Sequence, residues 1–331
     1  MLPPLRRLLP FAAAALLLTG CDREPEQIYK PPTFTGTAAY VAGECDHLAM
    51  LDLETQRLTR IKVGRQVADL AVAGDRLWVL GEDGGLAGLD PDQGGDAPVV
   101  DWKPVSAKGL AVAAGPDGVI YVLGDRELVL VAPDGNVLQR RPLDFAGTSL
   151  LHDGKNSRLW VLNREDGSAT PISLPGLQAG TPVAPIGNSI HQGFVPAGSG
   201  ELWIAEGNEY LDGQPYGVGY KKDGPAMPGG INVIGPADGK QTDFVMVGGN
   251  VADLAESPDG SRIYAATSRL PEYTEATLSV LEAASRRVRA EFRLCDACHI
   301  EENVEVSGKN AVVRALAMRW GATAGQGETK P

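Results

Sequence analysis

Short apolar or alternating runs of four to six residues, separated by turns rich in aspartate, proline and glycine, fill most of this chain. One unit reads Gly109-Leu110-Ala111-Val112-Ala113, the turn Gly115-Pro116-Asp117-Gly118, then Val119-Ile120-Tyr121-Val122. Glu127-Leu128-Val129-Leu130-Val131, Pro133-Asp134-Gly135 and Val137-Leu138 complete it. Runs of this length bounded by Asp-Gly turns are β-hairpin signals. The same order returns at residues 68–100, 149–174, 194–247 and 254–292. Six of the runs carry an aromatic at one phase: Tyr40, Trp78, Tyr121, Trp160, Trp203 and Tyr264. The intervals between them are 38, 43, 39, 43 and 61 residues, the period of four-stranded propeller blades.

The pattern therefore predicts an all-β, six-bladed propeller, with seven blades as the alternative. With the four strands of a blade lettered a to d from its first to its last, residues 38–63 supply only b, c and d of the first blade. The missing strand is expected from the far end of the chain, in Asn303-Val304-Glu305-Val306. Pairing the N- and C-terminal strands would close the ring and leave only short sheet edges. Residues 311–320 read as either a further strand or a terminal helix. The domain reading is a propeller over 36–318 with a disordered tail over 319–331.

Tyr40-Val41-Ala42, the strand and turn over 48–55, and Ser257-Pro258-Asp259-Gly260 followed by Arg262-Ile263-Tyr264 resemble the bacterial YVTN-type and NHL-like β-propellers. The resemblance spans roughly residues 36 to 318. It implies the fold and leaves the activity open, because propellers of this kind include binders, scaffolds and enzymes.

The N-terminus bears on location. Arg6 and Arg7 precede a largely apolar stretch over 8–18, too short for a membrane span, and Leu18-Thr19-Gly20-Cys21 follows. This resembles a bacterial lipoprotein signal over residues 1–20, with Cys21 as the lipidated first residue of the mature chain. Asp22 resembles an inner-membrane retention signal, and either the inner membrane's periplasmic side or the outer membrane remains open. Residues 21–35, with Pro25, Pro31 and Pro32, read as a tether. Loss of Arg6 and Arg7 takes the formal charge from -12 to -14. So acidic a surface repels nucleic acid, which leaves an envelope protein or a small ligand as the expected partner.

The sharpest chemical signal is Cys295-Asp296-Ala297-Cys298-His299, the spacing of a c-type haem attachment motif. In a closed ring, d-to-a connections and b-to-c loops share one face. Cys45 and His47, in the first b-to-c loop, would then lie beside Cys295, Cys298 and His299. Three assignments stay open. A disulfide from Cys45 to Cys295 or Cys298 would staple the ring for roughly 2–4 kcal/mol. Haem c could bond Cys295 and Cys298 with His299 as axial ligand, Met318 being a second ligand if it is not simply core. A metal ion could take Cys45, Cys295, Cys298 and one of His47 or His299.

His191 is expected in a d-to-a connection on the same face, as a distal haem ligand or a pocket residue. A long b-to-c insertion over 207–230 carries Tyr210, Tyr216, Tyr220, Lys221 and Lys222, and an extended loop over 268–277 carries Arg269 and Tyr273. Long loops of this kind are where binding residues concentrate, so both mark a binding face. His152 falls on the other face and receives no role. No Gly-x-Ser-x-Gly elbow, P-loop or His-Glu-x-x-His motif occurs, so no catalytic residue is assigned. The sequence reading is a lipid-anchored binding or scaffold module, with a monohaem electron carrier and a metal-binding protein as alternatives.

Overall fold

A computed structural model of the chain describes residues 34, 36–43, 46–90, 101–187, 190–196, 199–206, 210–211, 214–215, 229–247, 250–268, 276–294 and 313–320. Among them the strands form six four-stranded antiparallel sheets and one small two-stranded hairpin, the sheets arranged as a six-bladed propeller. The expected six blades are therefore present. Blades 2 to 6 have innermost strands Val67–Ala73, Ala111–Ala114, Ser149–Asp153, Ile190–Phe194 and Asn250–Glu256. Among the described residues, no helix is long and apolar enough to cross a membrane.

Blade 1 is built from both ends of the chain. Val313–Arg319 lies inside Ala38–Gly43, His47–Asp52 and Arg57–Lys62, in the register Ala38↔Arg319 to Gly43↔Val313. The ring thus closes by N- and C-terminal strands as expected, but the closing strand is not 303–306, which lies outside the described residues. An inner strand packs both faces against neighbouring sheets, so it needs consecutive apolar residues. Ala315, Leu316, Ala317 and Met318 meet that need, all being buried, and Asn303-Val304-Glu305-Val306 does not. Residues 313–319 are accordingly strand, and Arg319 belongs to the propeller, not to a tail. Two outer strands also lie beyond their expected units: Lys103–Pro104 in blade 2 and Gln178–Ala179 in blade 4, each only two residues long.

All six phased aromatics sit on the second strand of their blade and are buried. The core divides into six clusters, one per junction between successive blades. Tyr40 packs between blades 1 and 2, Trp78 between 2 and 3, Tyr121 between 3 and 4. Trp160, Trp203 and Tyr264 continue the series to the junction of blades 6 and 1. Strand alternation puts residues of one phase on one sheet face, so each aromatic fills the gap to the following blade. Burial falls outward, and the outer strand Val137–Pro142 is exposed along its length.

The turns follow the chemistry of their residues. In Ser257-Pro258-Asp259-Gly260, Asp259 Oδ1 accepts hydrogen bonds from Ser257 Oγ, the Ser261 N–H and Ser261 Oγ at 2.6–3.0 Å. Those donors hold its pKa down to about 2. Gly260 takes the left-handed φ of 67° that the turn needs.

Candidate functional site

The inner strands of all six blades wall a cavity of about 520 Å³ on the propeller axis. Its lining begins at Asp69, Gln192 and Asp253 and runs toward the a-to-b turns, where Ala114, His152, Val195, Glu256 and Trp320 form the mouth. Between floor and mouth the wall is formed by the inner strands themselves, because the side chains of Val112, Leu150, Leu254 and Leu316 are buried in the junctions between blades. The first described residues of the chain, Phe34 and Gly36, lie on the mouth side. There the Gly36 N–H donates to Glu54 in a c-to-d turn, and Arg262, just past an a-to-b turn, stacks over Phe34.

Asp69 and Asp253 occupy the same place in blades 2 and 6. Each lies two residues before the position paired with the blade's aromatic, Ala71↔Trp78 and Ala255↔Tyr264. Each also follows a β-bulge, between Val67 and Asp69 and between Val251 and Asp253. A bulge re-aims the next side chain. Gln192 stands at the corresponding position of blade 5, again beside a register slip.

The two carboxylates tie neighbouring inner strands together. Asp69 Oδ1 accepts the Leu70 N–H at 2.8 Å, and its Oδ2 accepts the Val112 N–H of blade 3 at 2.8 Å. Gln192 Nε2, three blades away around the ring, donates to the same Oδ2 at 2.6 Å. Asp253 accepts the Leu254 N–H at 2.7 Å and, from the closing strand, the Leu316 N–H at 2.6 Å. At the equivalent point of blade 4, Ser149 Oγ donates to the His191 carbonyl of blade 5 at 2.8 Å. Polar ties therefore cross alternate junctions: 2 to 3, 4 to 5 and 6 to 1.

The electrostatics of this layer follow from burial. Asp69 and Asp253 are 2% and 5% exposed. Burial raises the Asp69 pKa to about 7 despite three hydrogen bonds that favour the anion. Asp253 is raised well above the ordinary value by burial and then by the nearby Asp69 charge. Two buried like charges cannot both ionise cheaply, so the pair retains a proton near neutrality. Burial lowers the His152 pKa, partly opposed by Asp153, and the ring is neutral at pH 7.

Few of the residues singled out by sequence belong to the described part of the chain. Cys21, Cys45, Cys295, Cys298, His299, Tyr216, Tyr220, Lys221, Lys222, Arg269 and Tyr273 lie outside the described residues. Tyr210 belongs to the hairpin Tyr210–Leu211 with Gln214–Pro215, inside the b-to-c connection of blade 5. His47 is the first residue of a strand and its Nδ1 contacts Asp46. His191 is not in a connection but on the inner strand Ile190–Phe194, and its neighbour Gln192 is the one that lines the cavity. Burial, with a smaller contribution from Arg164, lowers the His191 pKa to about 3. Met318 is buried in the junction of blades 6 and 1. The described residues that border the cysteine-bearing segments do converge, since Gly43, just before 44–45, pairs with Val313, just after 295–312.

His152, Asp69, Gln192 and Asp253 were not legible as a site from strand patterning. One signal existed: Val67-Ala68-Asp69-Leu70-Ala71 repeats letter for letter as Val251-Ala252-Asp253-Leu254-Ala255. An acid held twice at one phase of an otherwise apolar inner strand marks the two polar blades.

No family model matches the chain and no curated protein matches it. Solved structures do. A protein of unknown function from Bacteroides caccae superposes with a TM-score of 0.60 at 12% identity, covering 85% of this chain and 98% of that one. A nidogen/laminin complex contains a chain with a TM-score of 0.55 at 11% identity, covering 86% and 98%. A functionally unknown protein from Desulfotomaculum acetoxidans gives 0.51 at 13% identity, covering 79% and 82%. Likenesses at this identity establish the propeller fold alone.

Proposed function

We propose that the chain is a lipid-anchored binding propeller of the bacterial envelope, which takes a small ligand in the axial cavity. The observation that carries this reading is the cavity itself, walled by all six inner strands and bearing Asp69, Gln192 and Asp253 at its floor. That combination suits a ligand fixed by burial and oriented by a few polar groups. Anchoring at Cys21 through the 21–35 tether rests on the signal-like N-terminus. The b-to-c connection that carries Tyr210 leaves blade 5 at Glu206 and re-enters it at Gly230, at the strand ends opposite the mouth, and a connection there suits a partner protein.

For Cys45, Cys295 and Cys298 the proposal is a disulfide from Cys45 to one of the other two. Pairing of Gly43 with Val313 brings one border of each segment to the same sheet end, and the prevalence of disulfides in exported proteins is the ground for placing this assignment before haem or metal.

A neutral solvatochromic dye such as prodan tests the binding role. Mature protein is expected to bind it saturably with one site, and Val195→Trp, which fills the mouth, is expected to abolish the binding. Dye uptake that is unsaturable or indifferent to Val195→Trp sinks the reading. On the same preparation, intact mass should show a lipidated Cys21, no haem adduct and one disulfide, with no Soret absorption.

A further inference from the structure

We infer that the cavity floor recognises a primary ammonium group, so that the ligand is a small organic cation with an apolar body. The inference rests on the binding role just proposed and specifies its ligand class.

The argument is a count of hydrogen-bonding capacity. A carboxylate offers about four acceptor positions. Asp69 uses three, for Leu70, Val112 and Gln192. Asp253 uses two, for Leu254 and Leu316. Gln192 Oε1 is wholly shielded from solvent and accepts no hydrogen bond among the described residues. The two carboxylates thus keep acceptor positions beyond those their backbone donors fill, beside an amide oxygen that lacks a donor. An acceptor buried without a donor is costly, and a group that brings several donors relieves it. An alkylammonium brings three N–H donors, no acceptor and one positive charge.

Charge points the same way. Among the described residues that line the cavity there is no lysine or arginine, and its ionisable groups are Asp69, Asp253, Glu256 and the neutral His152. A cation on the floor would take the place of the proton that the buried pair otherwise keeps, so it enters without stranding a charge. Phe194 on the wall and Trp320 at the mouth then offer aromatic faces to an organic body. A hard divalent metal fits less well. Calcium takes six to eight oxygen ligands, and the described residues contain no group of three or more His, Cys, Asp or Glu placed to hold a metal.

The test compares 2-phenylethylammonium with its neutral counterpart 2-phenylethanol by isothermal titration on the mature full chain, with calcium chloride titrated separately. The amine is expected to bind at least about tenfold more tightly than the alcohol. Asp253→Asn, close in shape but uncharged, is expected to remove that preference. Should Asp253→Asn fail to fold, Gln192→Leu, which deletes the open amide oxygen, is expected to weaken the amine selectively. Equal affinities for amine and alcohol, both lost in Val195→Trp, would overturn the ammonium assignment and leave the binding role intact. Amine binding that survives Val195→Trp would place the site elsewhere and overturn it too. Calcium binding that is lost in Asp253→Asn and displaces the amine would reassign the floor to a metal ion.

Discussion

Asp253 accepts the backbone N–H of Leu316 at 2.6 Å, across 63 residues of sequence. Leu316 lies on the strand that closes the ring, so one buried carboxyl fastens the end of the chain to blade 6 while blade 1 pairs with its other edge. Floor and ring closure therefore share a residue, which couples occupation of the cavity to the stability of the propeller.

The pH dependence of stability follows from the raised carboxyls. For a group whose folded pKa lies above its unfolded value of 3.8, the folded state binds the proton more tightly. The contribution of Asp69 is fully present below about pH 4 and is lost as pH rises through about 7. Asp69→Asn removes this titration, leaving Asp253, Glu256 and His152 as the ionisable groups along the cavity. Relative to Asp69→Asn, the wild-type protein is expected to lose stability between pH 4 and 7.5, by up to roughly 4 kcal/mol. Urea unfolding across that window measures it, and a constant difference between the two proteins would contradict the assignment.

Ring closure gives a contrast between two truncations. Ending the chain at residue 312 removes Val313–Arg319 and bares the edge of Ala38–Gly43. That protein is expected to lose cooperative thermal unfolding and to aggregate on gel filtration. Ending it after Trp320 is expected to shift the melting temperature by no more than about 2–4 °C. Retention of a cooperative transition by the shorter protein would show that blade 1 does not need its inner strand.

Trp160 tests the packing between blades. It is 1% exposed, fills the junction of blades 4 and 5, and has Arg158 stacked 4.5 Å from its ring. Its Nε1 finds no hydrogen-bond acceptor among the described residues. Trp160→Ala is expected to cost about 3–5 kcal/mol, and Trp160→Phe only roughly 1–2 kcal/mol because volume is lost but no hydrogen bond. Equilibrium denaturation of the two variants measures the difference.

Blade number was legible because periodicity is a local property. Tyr40, Trp78, Tyr121, Trp160, Trp203 and Tyr264 each need the same burial on the same strand, so the repeat is written directly in the chain. Closure by the two ends was legible too, since the first blade lacks an inner strand. The choice of closing strand was not, because Asn303-Val304-Glu305-Val306 alternates like a half-exposed strand, whereas an inner strand is buried on both faces. His191 and Gln192 show the finer limit: a register slip of the inner strand decides which of two adjacent side chains lines the cavity.

By itself, then, the order of residues determined a ring of four-stranded sheets, six by the aromatic count with seven left open, because strand, turn and aromatic phase are each set within a few neighbouring positions. It also determined an acidic chain with a signal-like start. Only the tertiary structure decided that Asp69, Gln192 and Asp253 share one floor. They lie on separate blades, up to 184 residues apart, and meet because each inner strand runs beside a common axis with a bulge that re-aims one polar side chain.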